Sequence, residues 1–297
     1  MTNRDNEKGR RQLLTPLAHL AAEATKLAGL GLAHHCVLEG MKVVLADIDE
    51  SELLRAEDKL KAAGGNVLTV RTDVSDADDV EMLAKKSIEQ FEAVHLLFNN
   101  AGVEVRGAVW EQTLADWRWI INVNLWGVIN GIRTFVPIMI KQNTECHIVN
   151  TGSGGAFISG PTLGSYRATK SAVISLSEVL YHELKLHNTQ IGVSILLPGF
   201  IRSRLIESEK RRPEAYRNPE GKRELPAYEH DMIKMFQEMN RDGMGPEHFA
   251  DLVFEGIKEN KFYINPHPEF DAAIQMRLDD IAQKRNPSAV REIPKSS

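Results

Sequence analysis

The chain has 297 residues, 42% hydrophobic and 26% charged, with a net charge of −5. That is the profile of a water-soluble globular protein, long enough to bury a core without disulfides or structural metals. The acidic balance argues against nucleic acid or an anionic membrane as partner, and no run reaches the roughly 20 apolar residues that a membrane span requires.

The first stretch is the least regular. Lys8, Arg10 and Arg11 precede an Ala- and Leu-rich run, as in a secretion signal, but Pro16, His19 and Glu23 interrupt it. Export is therefore not expected, and a cytoplasmic location is. Cys36 and Cys146 fit no metal spacing and are expected as reduced, packed thiols. The composition of residues 11–25 favours helix over strand, so 1–23 is set apart as an atypical N-terminal segment.

From residue 41 onward, strand-like and helix-like runs alternate. Residues 42–46 form an apolar strand ending at Asp47. Residues 51–63 read as a helix, with Ser51 as N-cap and Gly64-Gly65 as the stop. A second strand covers 66–71, before Asp73 and Val74, and a helix follows over 75–91. A third strand, 94–98, runs into Asn99, Asn100, Ala101 and Gly102. One long helix is expected over 114–141, a strand starts at Ile148, another helix spans 166–187, and 191–197 is a strand closed by Pro198 and Gly199. Near-continuous apolar strands alternating with amphipathic helices predict a single α/β domain with a doubly wound parallel sheet, over residues 24–285. Residues 200–245 are charged and proline-containing and read either as a mobile cover over the site or as a solvated excursion. A helix from Gly245-Pro246 to Glu259, a short strand at 262–264 and a polar tail, 286–297, complete the chain.

Asp47, Asp73, the 99–102 loop, Ser153 and Pro198-Gly199 all follow the carboxyl end of a strand, where open α/β sheets bind ligands. Gly29, Leu30 and Gly31 supply the last part of a glycine-rich turn in which backbone approaches a pyrophosphate at a helix start. The early glycine of that turn is absent, with Thr25 in its place, and no β-branched strand precedes it. A local reading-frame error is one explanation. Asp47, sixteen residues after Gly31, can accept from the adenosine ribose hydroxyls and would repel a 2′-phosphate. NAD is therefore expected ahead of NADP.

Tyr166 and Lys170 are spaced i,i+4 at a helix start and share a face. An ammonium near the phenol is expected to lower its pKa, so that Tyr166 can act as base toward an alcohol or acid toward a ketone. Ser153 can donate to the carbonyl oxygen as charge develops, with Thr151 an alternative hydroxyl. Tyr181 and Lys185 repeat the spacing mid-helix and are read as packing residues. His34 and His35 are read as surface or packing residues, and no metal site is expected.

The set Asn99-Asn-Ala-Gly102, Asn122-Val-Asn124-Leu125, Ser153, Tyr166-x-x-x-Lys170 and Pro198-Gly199 resembles the classical short-chain dehydrogenase/reductase family. The resemblance implies an oxidoreductase interconverting a secondary alcohol and a ketone. It further implies that Lys170 holds the nicotinamide ribose and that Asn124 holds a proton-relaying water. Asp73 and Val74 would lie by adenine, Asn100, Ala101 and Gly102 along the adenosine half, and Ile201 and Ser203 at the nicotinamide amide. A homo-oligomer through helices 114–141 and 166–187 is implied as well. The competing expectation is a cofactor-defective homologue acting as a binding scaffold, motivated by the irregular segment before Gly29.

Overall fold

The computed structural model describes residues 17–21, 27–158, 160–218 and 226–288. Thr25, most of the 1–23 segment and the tail beyond residue 288 lie outside them. Among the described residues, seven parallel strands form one sheet in the order β3-β2-β1-β4-β5-β6-β7. They are β1 Leu17–Ala21, β2 Lys42–Asp47, β3 Val67–Arg71, β4 Leu96–Asn99, β5 Cys146–Thr151, β6 Ile191–Leu196 and β7 Tyr263–Ile264. The order reverses between β1 and β4, which opens a crevice at the carboxyl edge of the sheet's middle.

β1 corrects the expectation of helix. Leu17–Ala21 pairs with β2 on one side and with β4 on the other. Two neighbouring strands supply partners for its backbone groups, and that tertiary gain overrides the helical preference of Leu and Ala. The central strand thus forms from the residues as they stand.

Residues on β2, β4 and β5 alternate between two cores. Val43, Leu45, Leu96 and Phe98 join Leu32 and Cys36 of α1 (Leu27–Leu38), Leu53 and Leu60 of α2 (Glu50–Ala62), and Phe249 and Phe254 of α8 (Pro246–Lys258). Val44, Leu97 and Ile148 face the other way, onto Leu83 of α3 (Ala77–Phe91), Phe135 of α5 (Gly127–Gln142) and Leu184 of α6 (Gly164–Leu186). Each fully buried Leu or Phe contributes about 1.5–3 kcal/mol. Cys36 and Cys146 are buried free thiols in these cores.

Several boundaries differ from expectation for local reasons. Gly29 and Gly31 lie inside α1, not in the turn before it. A Cβ on Gly31 would stand 2.5 Å from the Pro246 carbonyl oxygen, so this glycine permits the close crossing of α1 and α8. The N-cap of α2 is Asp49, whose carboxylate accepts from the Ser51 and Glu52 N–H groups; Ser51 is a donor here, not the cap. α3 starts at Ala77, capped by Asp76. The expected helix over 114–141 is α4 (Leu114–Ile121) and α5 joined by one π turn, Asn122–Trp126. This continuous run, Leu114–Gln142, is by length and mean apolarity sufficient to cross a membrane, although Asp116, Arg118 and Arg133 interrupt it. Its residues Phe135, Val136 and Met139 are instead packed in the second core. After β6, two short 3-10 turns and α7 (Ala227–Arg241) lie over the carboxyl edge of the sheet, and α9 (Asp271–Ala282) follows β7.

Candidate active site

The end of β5 delivers Thr151 and Ser153. The Ser153 hydroxyl accepts from the Gly155 N–H at 3.1 Å and caps a 3-10 turn, Gly154–Phe157. α6 brings Tyr166 and Lys170 onto one face, 8% and 2% exposed. The Lys170 ammonium donates to the Thr151 carbonyl at 2.8 Å and stands 5.8 Å from the centre of the Tyr166 ring. Ser153 is the hydroxyl that bonds the Tyr166 phenol; Thr151, the alternative, gives its own hydroxyl to Asn100 Oδ1 at 3.0 Å.

The electrostatics reverse the expected direction. Burial pushes Tyr166 up to about 12, with the Glu104 charge adding to the rise and Ser153 opposing it. Burial also brings Lys170 down to about 8. Desolvation disfavours both charged forms, and it outweighs the attraction between phenolate and ammonium. The phenol therefore holds its proton at neutral pH.

Asn124 occupies the π turn and is 0% exposed. Its amide bridges both backbone groups of Val103, accepting from N–H at 2.8 Å and donating to the carbonyl at 2.9 Å. It also reaches Thr169 Oγ1 at 3.3 Å. A Cβ on Gly102 would lie 3.4 Å from Lys170 Nζ and 3.8 Å from Asn124 Oδ1, so the 99–102 loop packs against both side chains. The loop is fixed from below as well, since Asn99 donates to Asn150 Oδ1 at 2.8 Å and Asn150 to Ser177 Oγ at 3.0 Å.

Two cavities share that loop. One, of about 180 Å³, is lined by Gly29, Asn100, Gly102, Ser153, Tyr166 and Lys170. The other, of about 890 Å³, is lined by Asp47, Thr72, Asp73, Val74 and Ala101. Ile201 and Ser203 line the first cavity beside Pro198 and Gly199; Leu30 is packed against the first core. The donor set fits a dinucleotide: carboxylates at one end, glycines along the middle, and hydroxyl, phenol and ammonium at the other. Some of these side chains also serve the fold. Asp47 accepts from the Asp49 N–H at 3.0 Å, and Asp73 from the Ser75 N–H and hydroxyl at 2.9 and 2.7 Å. Arg204, Lys210 and Arg211 close the second cavity from the post-β6 segment.

Three features escaped the sequence reading. His267 accepts from the Gly199 N–H at Nδ1 (3.0 Å) and reaches the Phe200 carbonyl with Nε2 at 3.2 Å, which fixes a neutral, Nε2-protonated tautomer. Burial holds its pKa below the ordinary range. Glu104 and Arg106 line the first cavity as an ion pair, Nε to Oε1 2.6 Å, with the guanidinium 4.5 Å from the Phe236 ring. Asn240 of α7 ties down Ser203, accepting from its N–H at 3.3 Å and donating to its carbonyl at 3.0 Å. The alternation Val103-Glu104-Val105-Arg106 was the available signal for the ion pair, because a buried valine precedes each charge.

The second Tyr-x-x-x-Lys is a packing element. Tyr181 sits edge-on to Phe262 at 5.0 Å and takes a hydrogen bond from Lys185. His35 stacks on Phe254 at 4.1 Å. Among the described residues no acidic, His or Cys cluster can hold a metal ion.

Residues 24–214 match the short chain dehydrogenase family model. The chain belongs to the short-chain dehydrogenase/reductase family. It is 31% identical to a CLA biosynthesis dehydrogenase/reductase of Lactiplantibacillus plantarum, over 85% of this chain and 88% of that protein. It is 34% identical to a C alpha-dehydrogenase of a Sphingobium species, over 89% and 87% respectively. A Burkholderia phymatum member of the family, solved in complex with NAD, superposes with a TM-score of 0.89 at 41% identity, covering 93% of this chain and 98% of that one.

Proposed function

We propose that this protein interconverts a secondary alcohol and a ketone, with Tyr166 as general acid/base and NAD as cofactor. What carries the reading is the meeting of Ser153, Tyr166 and Lys170 in one cavity beside the 99–102 loop. When bound, the nicotinamide would supply or take up the hydride. Ser153 and Tyr166 would hold the substrate oxygen. In ketone reduction, Tyr166 gives its phenolic proton to that oxygen as negative charge develops there, and Ser153 stabilises the charge by donation. In the reverse direction the phenolate takes the alcohol proton. A phenol held at about 12 in the ligand-free protein is set for the donating role; a cationic nicotinamide beside it would favour the phenolate. Lys170 would hold the ribose hydroxyls, and Asn124 a water linking Lys170 to solvent.

Along the cofactor, Gly29 would lie at the pyrophosphate, with Leu30 and Gly31 behind it in the packing of α1, and Asp73, Val74 and Asn100 to Gly102 along the adenosine half. Pro198, Gly199, Ile201 and Ser203 would face the nicotinamide. Asp47 supports NAD, as does the NAD complex of the Burkholderia relative. Arg204, Lys210 and Arg211 support NADP as a second reading, since a 2′-phosphate in that cavity would meet cations. The exposed Trp126 and Val179 support a homo-oligomer through the Leu114–Gln142 run and α6. The test is oxidation of cyclic and long-chain secondary alcohols with each cofactor, followed by absorbance of the reduced nicotinamide. Reduction of NAD by at least one alcohol is expected; no reduction of either cofactor by any alcohol, nor oxidation of the reduced forms by the matching ketones, would overturn the reading.

A further inference from the structure

Arg167 is the residue beside Tyr166 and lines the same cavity. Its Nη1 donates to the carbonyls of Ile158 at 2.6 Å and Gly160 at 2.9 Å. Its Nε is buried without a hydrogen-bond partner. Arg277, reaching in from α9, bonds the Ala156 carbonyl of the same loop. Among the described residues neither guanidinium has a carboxylate partner. Each carries five N–H donors, and the loop carbonyls use only part of them.

A half-buried cation without a counter-ion is costly, and here two of them hold one short loop. Burial and the neighbouring Arg277 charge both keep Arg167 below its ordinary pKa. The cavity offers no compensation of its own. Among the described residues its only carboxylate is Glu104, and Arg106 already holds it. The remaining walls are largely apolar, with Leu163, Phe200, Ile206, Phe236 and Phe270 among them. Tyr166 and Arg167 line one cavity, so a molecule held there by Arg167 also faces Tyr166.

We infer that the substrate is an apolar molecule bearing an anionic oxygen group, a carboxylate or a phosphate, recognised by Arg167 with Arg277 behind it. This rests on the reading of the cavity as the alcohol–ketone site. The anion would supply the missing counter-charge and accept from the unused guanidinium hydrogens, a charge-assisted pairing for which the planar arginine fork is suited.

Calorimetric titration of the full chain, with and without NAD, tests this using octanoate, octyl phosphate and the neutral methyl octanoate. One of the two anions is expected to bind at least about tenfold more tightly than the ester, and which one does so separates the carboxylate from the phosphate. Arg167→Gln and Arg277→Gln should each weaken binding of the preferred anion more than binding of the ester, and so reduce that preference. Arg167→Lys should retain part of it, which a purely loop-holding role would not predict. The inference is overturned if neither anion is preferred by the wild-type protein, including the case in which none of the three binds. It is overturned equally if the preference survives in both Gln variants. NAD binding in the same samples reports on the cofactor site separately, so failure of that site and failure of the anion site are distinguishable.

Discussion

Asn124→Ala separates a structural duty from a catalytic one. The Asn124 amide is fully buried and holds both the N–H and the carbonyl of Val103, at 2.8 and 2.9 Å. Truncation leaves two backbone groups without partners in a loop where Val103 is 8% exposed. Each such group costs about 1–3 kcal/mol, which brackets the total at about 2–6 kcal/mol. Water entering the vacated space brings the expectation to the lower part, about 2–4 kcal/mol. Thr169 adds little, because its hydroxyl keeps its bond to the Tyr166 carbonyl at 2.8 Å. Urea unfolding of wild type and variant measures the loss, read from the midpoint at unchanged slope. A loss below about 1 kcal/mol would refute the argument, and Asn124 would then be a residue of the chemistry alone.

Three further outcomes follow from the same geometry. Tyr166→Phe should abolish turnover yet leave dinucleotide binding intact; appreciable residual turnover would remove Tyr166 as the proton donor. Lys170 is held at about 8 against an ordinary 10.5, so between those values the unfolded chain binds more protons than the folded one, and stability rises with pH. That gap corresponds to about 3 kcal/mol. Urea midpoints of wild type and Lys170→Met should therefore diverge in favour of the wild type as pH rises from about 8 to about 10.5, and parallel curves would contradict a desolvated lysine. Gly31→Ala places a methyl 2.5 Å from the Pro246 carbonyl oxygen. Overpacking of about 1–3 kcal/mol should exceed the gain in helix propensity of up to about 1 kcal/mol, and a stabilised variant would mean that α1 and α8 do not cross so closely.

The parts of the fold that local pattern encodes were legible. β2, β4, β5 and β6 are apolar runs buried on both faces, and a buried parallel strand writes itself that way. β1 was not legible, because Leu17–Ala21 lacks β-branched residues and its strand state comes from β2 and β4 on either side. Gly29 and Gly31 were found as glycines of consequence, but Gly31 answers to a helix more than two hundred residues further on, which no local turn rule contains.

At the site, spacing separated Tyr166 from Tyr181, and the surroundings of the two differ as expected. The direction of the Tyr166 shift was misread because charge proximity can be guessed from i,i+4 spacing, whereas the depth of burial cannot. His267 was invisible for a related reason: its partners Gly199 and Phe200 lie 68 and 67 residues away, and only β7 and the turn after it bring them together. Arg212 shows the same limit. It forms a buried ion pair with Asp116, 96 residues distant, within a stretch that reads as a mobile cover or a solvated excursion.

The claim on which the rest depends is that the crevice between β1 and β4 admits a dinucleotide. Trp119 lines the larger cavity beside Asp47 and Val74, so its fluorescence reports occupancy directly. Titration of the purified protein with NAD and with NADP should give saturable changes, with NAD the tighter ligand. Failure of both to bind would contradict the account and leave a scaffold in place of an enzyme.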